Sequence, residues 1–133
     1  MTTYVVDASV AVEYLLRTNL GLTIAETLEG AQLMAPELLD VEILSVLRRA
    51  VLTKKLQEDR ARIALKDLFA WPIERIPHIS LLLEAWRYRH QINAYDAMYV
   101  ATAHLHHIPL LTADGPLSRT PGMTIAIQNI RIA

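Results

Sequence analysis

An α/β fold built on a mostly parallel sheet is the architecture this chain predicts, and three observations lead there. Short β-branched or apolar runs, such as TYVV at the start and PLLT late in the chain, alternate with longer segments of helical periodicity. Two of the strand-like runs end on an acid, Asp7 in YVVDASV and Asp114 in PLLTADGPL. In open α/β sheets, ligands gather at the carboxyl ends of the strands. Two further acids, Glu42 in PELLDVEILSVL and Asp96 in NAYDAMYVATA, interrupt the apolar stripes of helices. A lone charge in such surroundings costs several kcal/mol unless it is paired or binds a metal. The pattern therefore predicts a divalent-cation site.

The elements follow in order. Thr2 to Val6 are all β-branched or aromatic and read as a buried strand. Ala8 to Arg17 has helical spacing, and a second helix is expected over Leu22–Leu28, ended by Gly30. Gln32–Ala35 reads as a short strand. Pro36 suits the first turn of a helix running from Glu37 to Lys55, whose basic end (Arg48, Arg49, Lys54, Lys55) complements the helix dipole. Glu58–Phe69 is amphipathic, with Ile63, Leu65 and Leu68 as expected anchors. Pro72–Ile76 reads as a strand. Ser80 is placed to cap a helix from Leu81 to His90, and Asn93 another from Ala94 to His107. Pro109–Thr112 forms a strand, Asp114-Gly115-Pro116 a turn, and Met123–Gln128 the last strand.

Composition narrows the classes. The 133 residues suit one domain spanning 1–133, with no repeat, linker or low-complexity tract. Apolar residues make up 53% of the chain, an excess that suggests surface reserved for a partner or a second copy. A net charge of −1 excludes a generic polyanion binder, so nucleic-acid contacts would need local basic patches. With no cysteine there are no disulfides or thiolate metal sites, which fits a reducing, cytoplasmic setting. No basic leader with a long apolar run and no membrane-spanning stretch is present, so membrane association is not expected. Walker-type glycine loops, the G-x-S-x-G elbow and dinucleotide fingerprints are absent.

Each acid also has a structural reading. Asp7 could cap the helix that starts at Ala8, Asp114 could be a turn residue, and Asp96 could favour a helix N-terminus. Glu42 has Ser45 and Arg49 as possible partners. Helical geometry weighs against those readings for two of the four. Leu38, Leu39, Ser45 and Val46 flank Glu42, while Ile92, Tyr99 and Val100 flank Asp96, so both acids point along mainly apolar faces. Hard oxygen donors without thiolates suit Mg²⁺ or Mn²⁺. A cluster of carboxylates also predicts raised pKa values without the metal. His104, His106 and His107 lack a matching ligand set, and Trp71 and Trp86 read as core or interface residues. The basic residues around Arg48 and Lys55 could touch a phosphate backbone or form a solvated helical face.

The order VVDASV, a helix carrying Glu42, AYDAMYVATA and LLTAD resembles the PIN-domain ribonucleases, over most of the chain from Tyr4 to Ile127. The short single-domain form is similar to VapC-type toxins of type II toxin–antitoxin pairs. The resemblance implies a PIN-like three-layer α/β/α sandwich and a Mg²⁺- or Mn²⁺-dependent endoribonuclease. It assigns Asp7, Glu42, Asp96 and Asp114 to the catalytic metal site, with Ser9 and Thr112 in support. It further implies a tRNA or rRNA substrate, products with a 3′-hydroxyl and a 5′-phosphate, a VapB-like antitoxin that blocks the site, and a homodimer. Ser45 departs from the family's frequent Asn three residues after the glutamate. Two rivals remain: a catalytically silent PIN-like regulator that binds RNA or protein, and a receiver-like domain phosphorylated on Asp. No Lys follows Lys66, which disfavours the latter.

Overall fold

The structure, a computed structural model, describes residues 2–123 and 125–131. Five strands form one sheet in the order β3-β2-β1-β4-β5, all parallel. They are β1 (Thr3–Val6), β2 (Gln32–Pro36), β3 (Ile73–Ile76), β4 (Leu110–Thr112) and β5 (Ile127–Asn129). The helices are α1 (Ala8–Leu16), α2 (Asn19–Glu29), α3 (Leu38–Leu52), α4 (Glu58–Ala70), α5 (Leu82–Trp86), α6 (Ala94–His106) and α7 (Gly115–Ser118). They flank the sheet, giving the expected three-layer α/β/α sandwich.

Strand order explains where a ligand would sit. From central β1 the chain first builds outward through β2 and β3, then returns to the other side of β1 to add β4 and β5. The gap between β1 and β4 is therefore the point where the winding reverses, the favoured crevice of doubly wound sheets. Val5 and Val6 are in register with Leu110 and Leu111. Parallel pairing thus delivers Asp7 and the segment Thr112–Asp114 to the same edge of the sheet. Val5, Val6, Leu110, Ala35 and Leu39 are fully buried, and α6, whose Ala97, Val100 and Ala101 are buried, packs on β1 and β2.

Several boundaries differ from expectation for identifiable reasons. Pro36 ends β2 instead of opening α3 and is in register with Ile76. The β1 ladder stops at Met34, so β2 is locally an edge at Pro36, where a missing N–H is tolerated. Helix α3 stops at Leu52, and Lys54 turns left-handed with φ 62°. Helix α2 starts earlier than expected because Thr18 caps it, its hydroxyl accepting from Gly21 N. Ser80 caps no helix: its hydroxyl donates to the Pro77 carbonyl within a 3₁₀ turn at His78–Leu81, and α5 is only one turn long. The expected Met123–Gln128 strand begins instead at Ile127, paired with β4, and Thr124 lies outside the described residues. On α4, Ile63 is 50% exposed and Leu65 half-buried, while Ala61, Ala64 and Leu68 face the core.

Candidate active site

Asp7 lies at the centre of the candidate site and is the one buried carboxylate among the described residues, 6% exposed. It is the N-cap of α1, and its Oδ1 accepts from Val10 N at 3.1 Å and from the Ser9 hydroxyl at 2.6 Å. Its Oδ2 accepts from the Thr112 hydroxyl. Each hydroxyl has one proton, already committed to Asp7, and each oxygen in turn accepts a backbone N–H. Ser9 Oγ accepts from Ala113 N at 2.8 Å and Thr112 Oγ1 from Asp114 N at 2.9 Å. The β4–α7 turn is thereby hydrogen-bonded, through two hydroxyls, to both oxygens of one carboxylate. Burial pushes the Asp7 carboxyl up, the Ser9, Thr112 and Val10 bonds pull it down, and the Asp114 charge pushes it further up. The net direction is upward, so desolvation exceeds what the bonds return.

Asp114, expected in a turn, is instead the N-cap of the short helix α7, accepting from Leu117 N at 3.2 Å. Its remaining oxygen accepts from no donor among the described residues. Asp96 lies in the first turn of α6, where Asn93 Oδ1 caps the helix by accepting from Asp96 N at 2.8 Å. The half-buried Asp96 carboxyl is pushed up to about 6, by burial first and then by the charges of Asp114, Asp7 and Glu42. All four sequence-predicted acids are thus within electrostatic reach of one another at Asp96, although they derive from four separate parts of the chain.

Glu42 shows a feature the sequence reading missed. Its Oε1 accepts a 2.6 Å hydrogen bond from the hydroxyl of Tyr99, a side chain only 1% exposed. Burial, then the bond and charge of Glu42, hold the Tyr99 phenol far above its ordinary range, so it remains a proton donor. The signal was present in YDAMY: Tyr99 lies three residues after Asp96 and shares its helical face. The face around Glu42 is less inward than expected, since Ser45 and Val46 are exposed. The neighbouring acid on α3, Asp40, is neutralised by a two-pronged contact from Arg75 at 2.9 and 3.1 Å.

Among the described residues, no three Asp, Glu or His side chains are gathered tightly enough to clasp an ion. The donor chemistry nevertheless fits a divalent cation. Mg²⁺ keeps several of its waters and is commonly held through only one or two carboxylates. Among the described residues, neither Asp96 oxygen, Glu42 Oε2 nor Asp114 Oδ2 accepts from a protein donor. The histidines at the end of α6 are engaged elsewhere: His104 approaches Glu84 at 3.6 Å and His106 Nδ1 contacts the Thr102 carbonyl. Arg48 and Arg49 are exposed on α3, with Lys54 and Lys55 exposed just beyond it. None of these four is in an ion pair among the described residues. Trp71 stacks on Tyr14 at 5.0 Å, whereas Trp86 is 65% exposed and so is not a core residue.

The PIN domain family model matches residues 4–123, a span containing all four acids and both hydroxyls. The chain belongs to the PIN-domain family. Ribonuclease VapC1 of Mycobacterium tuberculosis is 44% identical over 98 residues, covering 73% of this chain and 74% of that protein. Among solved structures, PAE2754 from Pyrobaculum aerophilum superposes with a TM-score of 0.68 at 21% identity, covering 98% of this chain and 85% of that one. A toxin–antitoxin complex from Klebsiella pneumoniae gives 0.54 at 20% identity, over 90% and 93% of the two chains. Both structures share the PIN fold described above.

Proposed function

We propose that this PIN-domain protein is a metal-dependent endoribonuclease, the RNA-cleaving toxin of a toxin–antitoxin pair. The observation that carries the reading is the convergence of four acids at Asp96, whose carboxyl is raised to about 6 by burial first and then by the charges of Asp114, Asp7 and Glu42. A fold gains nothing in stability by crowding carboxylates, so their convergence speaks for a cation and a reaction. The ribonuclease name of the VapC1 relative supplies the substrate class, and the toxin–antitoxin neighbour supports a protein inhibitor as partner.

In this reading Asp7, Glu42, Asp96 and Asp114 hold Mg²⁺ or Mn²⁺, with Ser9 and Thr112 locking Asp7 in place. When bound, the cation would supply Lewis acidity towards water and the phosphodiester. Asp96 and Asp114 keep oxygens that accept from no protein donor among the described residues, while Asp7 is anchored by Ser9, Thr112 and Val10. Arg48, Arg49, Lys54 and Lys55 track the RNA phosphates, beginning roughly 10 Å along α3 from Glu42. The products carry a 3′-hydroxyl and a 5′-phosphate, and the substrate is a structured RNA of the tRNA or rRNA class. A cytoplasmic homodimer held off by its antitoxin completes the proposal. The intact acidic set and the hydroxyls serving it weigh against a silent RNA- or protein-binding regulator.

The test is incubation of the purified protein with total tRNA and rRNA, with Mn²⁺ or with chelator, followed by sequencing of 5′-phosphate ends. Discrete new ends that need the cation are expected. RNA left intact under both conditions, at enzyme concentrations equal to substrate, would remove the enzymatic reading.

A further inference from the structure

Helix α6 places two functional side chains on one face. Asp96 stands in its first turn, and Tyr99 follows three residues later. Tyr99 is buried to 1% and crosses to α3, 57 residues earlier in the chain, where its hydroxyl donates to Glu42 Oε1 at 2.6 Å. Packing on the sheet alone could be served by Phe. A buried hydroxyl has to find an acceptor or lose its hydration uncompensated, and here its acceptor is a site acid. Glu42 receives no other hydrogen bond among the described residues.

A carboxylate has two oxygens and about four lone-pair directions. With Oε1 tied to Tyr99, rotation about the last side-chain bond is restrained and Oε2 is left as the oxygen available to a cation. Glutamate has one more rotatable bond than aspartate, and α3 offers Glu42 no neighbouring donor. Arg49, two turns on, is committed to no carboxylate among the described residues, and Arg75 is occupied by Asp40. Asp7 is fixed by Ser9, Thr112 and Val10, and Asp114 by Leu117. Tyr99 is the counterpart of those restraints for Glu42.

We infer that Tyr99 is a positioning residue, which orients Glu42 so that its Oε2 faces the divalent cation, and which couples α3 to the Asp96-bearing face of α6. The inference rests on the proposed acidic centre, and the experiment separates the two. Mn²⁺ binding is measured by calorimetry on four proteins: wild type, Tyr99→Phe, Glu42→Gln and the double variant. Tyr99→Phe keeps the ring and its packing, so its circular dichroism and melting curve in chelator should stay close to wild type. Its Mn²⁺ affinity should fall about tenfold or more, the usual effect of losing a hydrogen-bond partner that orients a metal ligand. In the Glu42→Gln background the same substitution should cost nothing further, because the residue it acts through has already lost its charge. On RNA, kcat should drop in Tyr99→Phe with little change in KM.

Wild-type Mn²⁺ affinity in Tyr99→Phe would overturn the inference while leaving the acidic centre standing. An equal loss in both backgrounds would also overturn it, since Tyr99 would then act through general packing. Should Tyr99→Phe unfold, Glu42→Gln decides, since it must weaken Mn²⁺ binding in a folded protein for Glu42 to face the cation at all. Failure of the wild type to bind Mn²⁺ would reject the acidic centre itself and the inference with it.

Discussion

Replacing Asp7 by Asn tests whether the buried charge serves the fold or the chemistry. The side chain keeps its size, and Asn Oδ1 can still accept from Val10 N and the Ser9 hydroxyl. The amide nitrogen then faces Thr112, which can no longer donate there. Its hydroxyl can turn to Ser9 Oγ, 3.4 Å away, so no buried group is stranded. Two bonds change from charge-assisted to neutral and the Thr112 bond is exchanged for a longer one to Ser9, a loss of about 1 kcal/mol each. Against this stands relief of burying an ion, worth several kcal/mol, and of repulsion from Asp114. Because the Asp7 carboxyl is shifted upward in the fold, the second effect is the larger. The variant should therefore be equal in stability to the wild type or better by about 1 kcal/mol at pH 7, a rise of about 4 °C in Tm. The assay is thermal unfolding in chelator, paired with RNA cleavage in Mn²⁺. Cleavage should disappear, together with the Mn²⁺-induced rise in Tm that mass action gives the wild type. A fall of more than about 8 °C in chelator would mean that the carboxylate is structural. Undiminished cleavage would refute the metal-site argument.

Two further outcomes follow from the same geometry. The Asp96 carboxyl has a folded-state value of about 6 against an ordinary 3.8, so between those values the folded protein binds more protons than the unfolded chain. Stability of the metal-free protein should thus be greatest below pH 3.8 as far as Asp96 is concerned, and be lost as pH rises through 6. Allowing for the partial exposure of Asp96, the loss is about 1 kcal/mol. Asp96→Asn should flatten this slope in urea titrations across the window, and an unchanged slope would contradict the crowding. Replacing Arg48, Arg49, Lys54 and Lys55 together by Ala should weaken RNA binding and reduce the salt slope by about 3, with Mn²⁺ affinity unchanged. Unaltered salt dependence would show that the RNA runs elsewhere.

Much of the architecture was legible because the strands are short, apolar and bounded by turn residues. Asn93 was recognisable as a cap, and the acids stood out against apolar neighbours. The errors arose where tertiary contacts override local preference. Pro36 reads as a helix opener in isolation, but it ends β2 because β3 runs on beside it after β1 has stopped. Ser80 has the right chemistry for a cap yet serves the Pro77 carbonyl in a 3₁₀ turn. On α4 Leu68 is buried as expected and Leu65 packs against the core, but Ile63 is exposed and the small Ala61 and Ala64 take the remaining buried positions. At the site, the acids and hydroxyls could be picked out from their order. For Tyr99 only its place on the face of Asp96 was visible, because a Tyr on an apolar helix face looks like packing until its partner on another helix is known.

The sheet order also bears on when the site comes into being during synthesis. Central β1 emerges first, but one of its flanks stays uncovered until β4 is made, 107 residues after β1 begins at Thr3 (Leu110 by register). Thr112 and Asp114 arrive only with that last stretch, and without them Asp7 lacks the donor to its Oδ2 and the site lacks its fourth acid. A nascent or truncated chain ending before β4 therefore carries Asp7, Glu42 and Asp96 without the framework that joins them. The proposed centre thus depends on a strand pairing that spans most of the sequence, and it is assembled only when β4 docks beside β1.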